Sequence, residues 1–179
     1  MTLDPVFGML LLGAFALLFG SASLHKWRNL QRFDEVFAAY GLVPPALRPL
    51  ARGVPLLESA IALGLLGSAS RRIACTGGAL LLLCYAAAMA VNLRRGRRDI
   101  ACGCGGPDER RPIAPFMVWR NGLLALALGV TLAPWTTRSL QATDWATIAF
   151  GIAAAAAVYA CVDRLGQVMR QARMLRGLP

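Results

Sequence analysis

Residues 73–93 read IACTGGALLLLCYAAAMAVNL, a run with no charged side chain, bounded by Arg71 and Arg72 before it and Arg94 and Arg95 after it. As a helix rising 1.5 Å per residue, such a run spans roughly 30 Å, the thickness of a bilayer's hydrocarbon core. The rest of the chain repeats the pattern. Apolar segments of similar length cover about 5–24, 53–70, 115–133 and 142–162, each bounded by charge or by Pro and Gly. Together, five spans of about 20 residues occupy most of the 179 positions and leave no room for a separate soluble domain. Composition agrees: 57% of residues are apolar and 16% charged, against roughly 45–50% and about 25% in ordinary globular domains.

The sequence therefore predicts an all-α, polytopic membrane protein. Residues 1–134 would form a four-helix transmembrane bundle, and 135–179 would hold a fifth C-terminal transmembrane helix with a basic tail. The leading MTLDP carries Asp4 and no Lys or Arg, so the first span reads as a retained helix rather than a cleaved signal peptide. Between the first two spans, Trp27, Leu30, Phe33, Phe37 and Tyr40 recur at helical spacing opposite the charges. That is an amphipathic helix, lying in the interface or packed under the bundle. Gly41 should end it, and Pro44 and Pro45 forbid its continuation.

A net charge of +10 would suggest nucleic acid in a soluble chain, but its distribution says otherwise. Residues 25–52, 94–114 and the tail after 163 carry 15 of the 19 Lys and Arg, whereas the opposite connections carry Arg71, Arg72 and Arg138. Five alternating spans put the three basic segments on one side, which the positive-inside rule makes cytoplasmic. The N-terminus would lie outside and the C-terminus in the cytoplasm of a bacterial inner membrane, and headgroup attraction accounts for the charge without nucleic acid.

Chemistry concentrates after the third span, where residues 101–106 read Ala-Cys-Gly-Cys-Gly-Gly. Gly103 removes a side chain that would hinder a small Cys-x-Cys ring and supplies unusual backbone angles. Arg97 and Arg98 would stabilise thiolate at Cys102 or Cys104. Three readings stay open: thiol–disulfide exchange, a structural Cys pair, and a soft metal site with His25 plus Asp99 or Asp108. Against metal, Cys-x-Cys is shorter than usual zinc spacing and no second Cys pair follows. Topology alone brings His25, Glu58, Asn92, Arg120 and Asn121 to the face that holds this loop. Glu58 and Arg120 each lie about 8 Å inside a span, and an unpaired charge there is costly, so the two are expected to pair.

In order, Lys26, Arg28 and Phe33, then Tyr40-Gly41-Leu42-Val43-Pro44, Pro55-Leu56-Leu57-Glu58, Asn92-Leu93-Arg94-Arg95-Gly96, Cys102-Gly103-Cys104-Gly105-Gly106 and Arg120-Asn121 form a set. This set resembles the MauE family of methylamine utilisation proteins, within a wider DoxX-like group of membrane four-helix bundles. Gly105 stands where that family often has an aromatic. The resemblance implies a redox-associated maturation factor for a disulfide-rich periplasmic client such as a dehydrogenase small subunit, working beside a thioredoxin-like partner. It also implies a redox pair at Cys102 and Cys104 supported by Glu58, Asn92, Arg120 and Asn121. A quinone is a second electron partner to consider. Rival readings are a non-catalytic membrane scaffold for a maturation complex and a small metal carrier or transporter.

Overall fold

Asp4 accepts a hydrogen bond from the Val6 amide at 2.8 Å, and Pro5 takes the first helical position, where its missing N–H costs nothing. The first helix, α1, then runs Pro5–Arg28. The computed structural model describes residues 2–103 and 112–175, with side chains to 161 except at 159. Among these residues there are five further helices: α2 (Leu30–Tyr40), α3 (Gly53–Leu66), α4 (Arg71–Arg94), α5 (Pro115–Val130) and α6 (Ala142–Leu175). A 3-10 segment, Pro45–Arg52, leads into α3. The described residues form no strand, and the chain is an all-α polytopic membrane protein.

Pro5–Arg28, Pro45–Leu66 and Arg71–Arg94 are long and apolar enough to cross a membrane, and Pro115–Val130 and Ala142–Val158 are shorter apolar helices. Helices α1, α3, α4 and α5 surround a core built on Phe15, Phe19, Ile61, Leu82 and Leu128. Their outer faces are also apolar: Leu63, Ile73 and Trp119, with Phe150 of α6, are 72–79% exposed. Large hydrophobics on both sides of the helices fit a lipid solvent rather than water. Helix α6 lies along α1, where Gly13 faces Ile152 and Gly151 faces Leu10 so closely that a Cβ at either glycine would collide.

Several element boundaries differ from the sequence reading, including α5, which ends at Val130 rather than near 133. The second span stops at Leu66 instead of near 70, because Gly67 turns extended and the Ser70 hydroxyl donates to the Gly64 carbonyl at 2.9 Å. The amphipathic segment is broken at Asn29, whose φ of −142° leaves the helix and whose side chain caps Arg32, so His25, Lys26 and Trp27 belong to α1. Helix α2 ends, as expected, on left-handed Gly41. Phe33 is buried, which sets α2 under the bundle. Helix α6 continues to Leu175, so backbone of the basic tail extends the fifth span's helix.

One end of the bundle gathers the chain's start and two connections. Leu3 exchanges backbone hydrogen bonds with Pro134 and Thr136, and Arg71 stacks over Trp135 at 3.9 Å. Arg138 bridges Asp4 and Asp144 at 3.0 and 2.8 Å. The alternation of spans requires this grouping and leaves Lys26, Glu58 and Asn92 at the opposite end.

The Arg138 hydrogen bond, with help from the Val6 amide, holds Asp4 below its usual value of 3.8. A depressed carboxyl stabilises the fold above that value and loses its contribution as pH falls through the folded value. Arg138→Gln should therefore lower Tm at neutral pH, and the gap from wild type should close below about pH 4. A gap independent of pH would count against the Asp4 contact.

Candidate functional site

Helix α1 buries Leu12, Phe15, Phe19, Ser23 and Lys26 at successive steps of three or four. Lys26 thus continues an apolar stripe. On α3 the buried stripe is Pro55, Glu58, Ile61, Ala62 and Leu65, and the two stripes meet. Lys26 Nζ donates to both Glu58 carboxylate oxygens at 2.7 and 2.8 Å, with the side chains 5% and 1% exposed. The Tyr85 hydroxyl of α4 donates to Glu58 Oε1 at 2.7 Å. Nζ also lies 5.7 and 5.8 Å from the ring centroids of Tyr85 and Phe33, within cation–π range. Beside it, the Ser23 hydroxyl donates to the Pro55 carbonyl at 3.0 Å and meets Ser59 Oγ at 2.6 Å.

The expected Glu58–Arg120 pair is therefore replaced by Glu58–Lys26. On α5 the buried stripe is Met117, Asn121, Ala125 and Leu128, which leaves Arg120 beside it. Arg120 Nε and Asn121 Nδ2 are buried, and neither atom has a hydrogen-bond partner.

The Cys-containing loop is tied down at its base. Ala101 and Pro112 form an antiparallel bridge, with the Ile113 amide donating to Ile100 O at 2.9 Å. The Tyr40 hydroxyl donates to the Cys102 carbonyl at 3.0 Å, and burial pushes Tyr40 up to about 12, so the phenol stays a neutral donor through physiological pH. Arg97 donates to the Ala39 carbonyl at 2.9 Å, the Tyr40 carbonyl at 3.4 Å and Asn92 Oδ1 at 3.3 Å. It thereby clamps the end of α2 to the end of α4. Asn92, wholly buried, returns its amide to Ala88 O at 3.1 Å. Gly103 sits at φ +67°, and a Cβ there would come within 2.8 Å of Val36, so the glycine serves both conformation and packing against α2.

Cys102 is disulfide-bonded, whereas Cys75, Cys84 and Cys161 are free. Cys104, Asp108 and the tip of the loop lie outside the described residues. His25 is half-buried in a small recess shared with Arg32 and Gly103, and Arg98 is exposed. Among the described residues no three His, Cys, Asp or Glu side chains converge as metal ligands. Lys26, Tyr85 and Cys102 instead line one cavity of about 270 Å³, whose walls are otherwise mostly apolar and include Phe33, Phe37 and Met89. Its polar side chains are the cation of Lys26, the phenols of Tyr40 and Tyr85, the Cys84 thiol and the disulfide-bonded Cys102.

The family model described as Methylamine utilisation protein MauE matches residues 5–134, the stretch that contains every one of these groups. The chain belongs to the MauE family. It is 35% identical over 153 residues to a Methylamine utilization protein MauE of Paracoccus denitrificans, covering 84% of this chain and 82% of that one. It is 36% identical to one of Methylophilus methylotrophus, over 73% and 70%, and 33% identical to one of Methylorubrum extorquens, over 69% and 67%. No solved structure matches.

Lys26, Tyr40 and Tyr85 are three site residues that sequence reasoning missed. Lys26 had a signal in its place on the buried stripe of α1. Removing either member of the buried pair should be severe: Lys26→Met and Glu58→Gln each cost about 3–5 kcal/mol, read as loss of thermal stability in detergent. The combined variant should cost clearly less than the sum. Glu58→Gln and Arg120→Gln should instead be additive, and coupling between them would overturn the assignment. Tyr40→Phe removes about 1 kcal/mol of tether, so reduction of the Cys102 disulfide by dithiothreitol should quicken about fivefold. Unchanged kinetics would show that the tether does not control the loop.

Proposed function

We propose that this MauE-family protein is a redox-associated maturation factor in methylamine utilisation, acting by thiol–disulfide exchange through Cys102 and Cys104. The observation that carries this reading is the oxidised Cys102, held at the wall of a mostly apolar cavity that the buried Lys26 ammonium and the Tyr85 phenol also line. Relatives bear the name Methylamine utilization protein MauE, which suggests a client in the methylamine dehydrogenase pathway, such as a disulfide-rich small subunit.

In the exchange, a thiolate of a thioredoxin-like partner attacks a sulfur of the Cys102–Cys104 disulfide, and that S–S bond breaks as a mixed disulfide forms. The partner's second thiolate then resolves it, leaving the partner oxidised and both cysteines of this chain reduced. Gly103 and the Tyr40 tether hold the backbone at Cys102. Glu58, through Lys26 and Tyr85, is a positioning residue: it organises the cavity wall against which Cys102 rests. Arg97 orders the loop through α2 and Asn92. His25 shares a recess with Gly103, Arg98 is exposed on the same connection as Cys102, and Arg120 with Asn121 offers unpartnered buried donors on α5.

For orientation we adopt the charge distribution, with the N-terminus outside, the C-terminus in the cytoplasm, and the Cys loop on the basic side of a bacterial inner membrane. A client on the opposite side then needs electrons carried across or along the bilayer.

Two experiments test these assignments. Replacing Cys102 and Cys104 together by Ser should abolish client maturation while leaving the protein in the membrane; intact maturation would reject redox chemistry and favour a scaffold. In a background with Cys75, Cys84 and Cys161 changed to Ser, a membrane-impermeant maleimide applied after reduction should label everted vesicles and spare intact cells. Labelling confined to intact cells would reverse the topology.

A further inference from the structure

Exchange with a thioredoxin-like partner leaves the cavity itself unused and the two cysteines reduced after each cycle. We propose that the cavity between α1, α2 and α4 binds the ring of a membrane quinone, which takes the electron pair from Cys102 and Cys104. This rests on the redox reading of those cysteines and names their oxidant.

Four observations point to that occupant. The first is size: ligand pockets span about 300–1,000 Å³, and about 270 Å³ suits one substituted ring rather than a larger molecule. The second is access. Cys84 lines the cavity and is exposed, near the middle of α4, where its neighbours Leu80 and Leu83 are 58% and 49% exposed. The cavity thus reaches a lipid-facing surface, so an isoprenoid tail stays in the bilayer while the ring enters sideways. The third is the wall: Phe33, Phe37, Tyr85 and Met89 present aromatic faces and a polarisable thioether to a flat ring.

The fourth is the polar end. Lys26 Nζ has three N–H donors, and two go to Glu58. The third remains for a quinone carbonyl oxygen, where negative charge accumulates on reduction. Cys102 stands on the same lining, so electron donor and proton donor face one small volume.

The chemistry balances. The Cys102 thiolate adds to a ring carbon, forming a C–S bond as the ring oxygen takes the pair. The Cys104 thiolate then attacks Cys102 Sγ; the S–S bond forms, the C–S bond breaks, and its electrons pass into the ring. The hydroquinone takes two protons, one on each oxygen and equal to the two lost by the thiols; the Lys26–Glu58–Tyr85 cluster delivers the one on the buried oxygen, and the other goes to the oxygen at the cavity's opposite end. Two thiols and a quinone become a disulfide and a hydroquinone.

The test uses the full chain in lipid nanodiscs with ubiquinone-1 as the probe. Reduced wild type should convert one equivalent of ubiquinone-1 to its hydroquinone, followed by ultraviolet absorbance, with loss of two thiols. Ala88→Phe and Val43→Trp each place an aromatic ring in the cavity, and each should slow that reaction at least tenfold. Both should still be reoxidised by an oxidised thioredoxin at the wild-type rate, a control that excludes misfolding. Lys26→Gln should slow quinone reduction more than thioredoxin exchange. If wild type exchanges with thioredoxin and leaves ubiquinone-1 unreduced, or if both filled variants react at the wild-type rate, the quinone site is rejected and the redox reading stands. If wild type reacts with neither, the redox reading itself fails.

Discussion

An ammonium and a carboxylate on lipid-embedded helices have few tolerable arrangements. Alone, either would have to lose its charge, reach the headgroups or draw in water. Lys26 and Glu58 solve this by meeting each other, with 5% and 1% of their side chains exposed, and Tyr85 supplies a further donor. The pair joins α1 to α3, and Tyr85 brings in α4. Three of the four bundle helices are thereby fixed in rotation about their own axes, because a turned helix would strand a charge in hydrocarbon. Apolar packing alone specifies such rotations weakly when lipid and core are equally greasy.

Fixing α1 in this way also fixes the course of α2. Asn29 breaks the helix one residue after Arg28, so α2 leaves at a set angle and carries Phe33 under the bundle and Tyr40 beneath the loop. Tyr40 and Arg97 then tie the end of α2 to Cys102 and to Asn92. A chain of contacts therefore runs from the buried ion pair, through a short amphipathic helix, to the disulfide. Because α2 lines the cavity as well as tethering the loop, a shift of α2 would alter both together.

Much of the architecture is legible in the sequence because hydrophobic length is a strong signal: charge-free runs such as 73–93 can hardly be anything but membrane helices. The stop at Gly41 is legible from backbone chemistry, and the ordered motifs identify the family. The ion pair is not. By charge, Lys26 groups with Arg28 and Arg32 as a headgroup-facing cation, since a span's end is judged from hydropathy and a lysine conventionally closes it. The register of Leu12, Phe15, Phe19 and Ser23 places Lys26 inward, so the information is present but outweighed by charge. Arg120 misleads in the opposite direction: depth within the span suggests pairing, yet helical phase assigns the inward position to its neighbour Asn121. Tyr85 gives no sign of its role, because an aromatic in an apolar run is ordinarily core.

The same constraint that orders the bundle shapes its chemistry. A disulfide in water exchanges with whatever thiol arrives, but Cys102 lines a mostly apolar cavity whose wall also includes the held cation of Lys26. Burial of Lys26 against Glu58 keeps a charged hydrogen-bond donor at a depth where a free lysine would be unstable. The ion pair is thus more than a structural brace, since it is the means by which a polar donor persists inside a greasy site. The elements α1, α2 and α4 supply most of that cavity's lining, so the contacts that fix their rotation also set which groups face it.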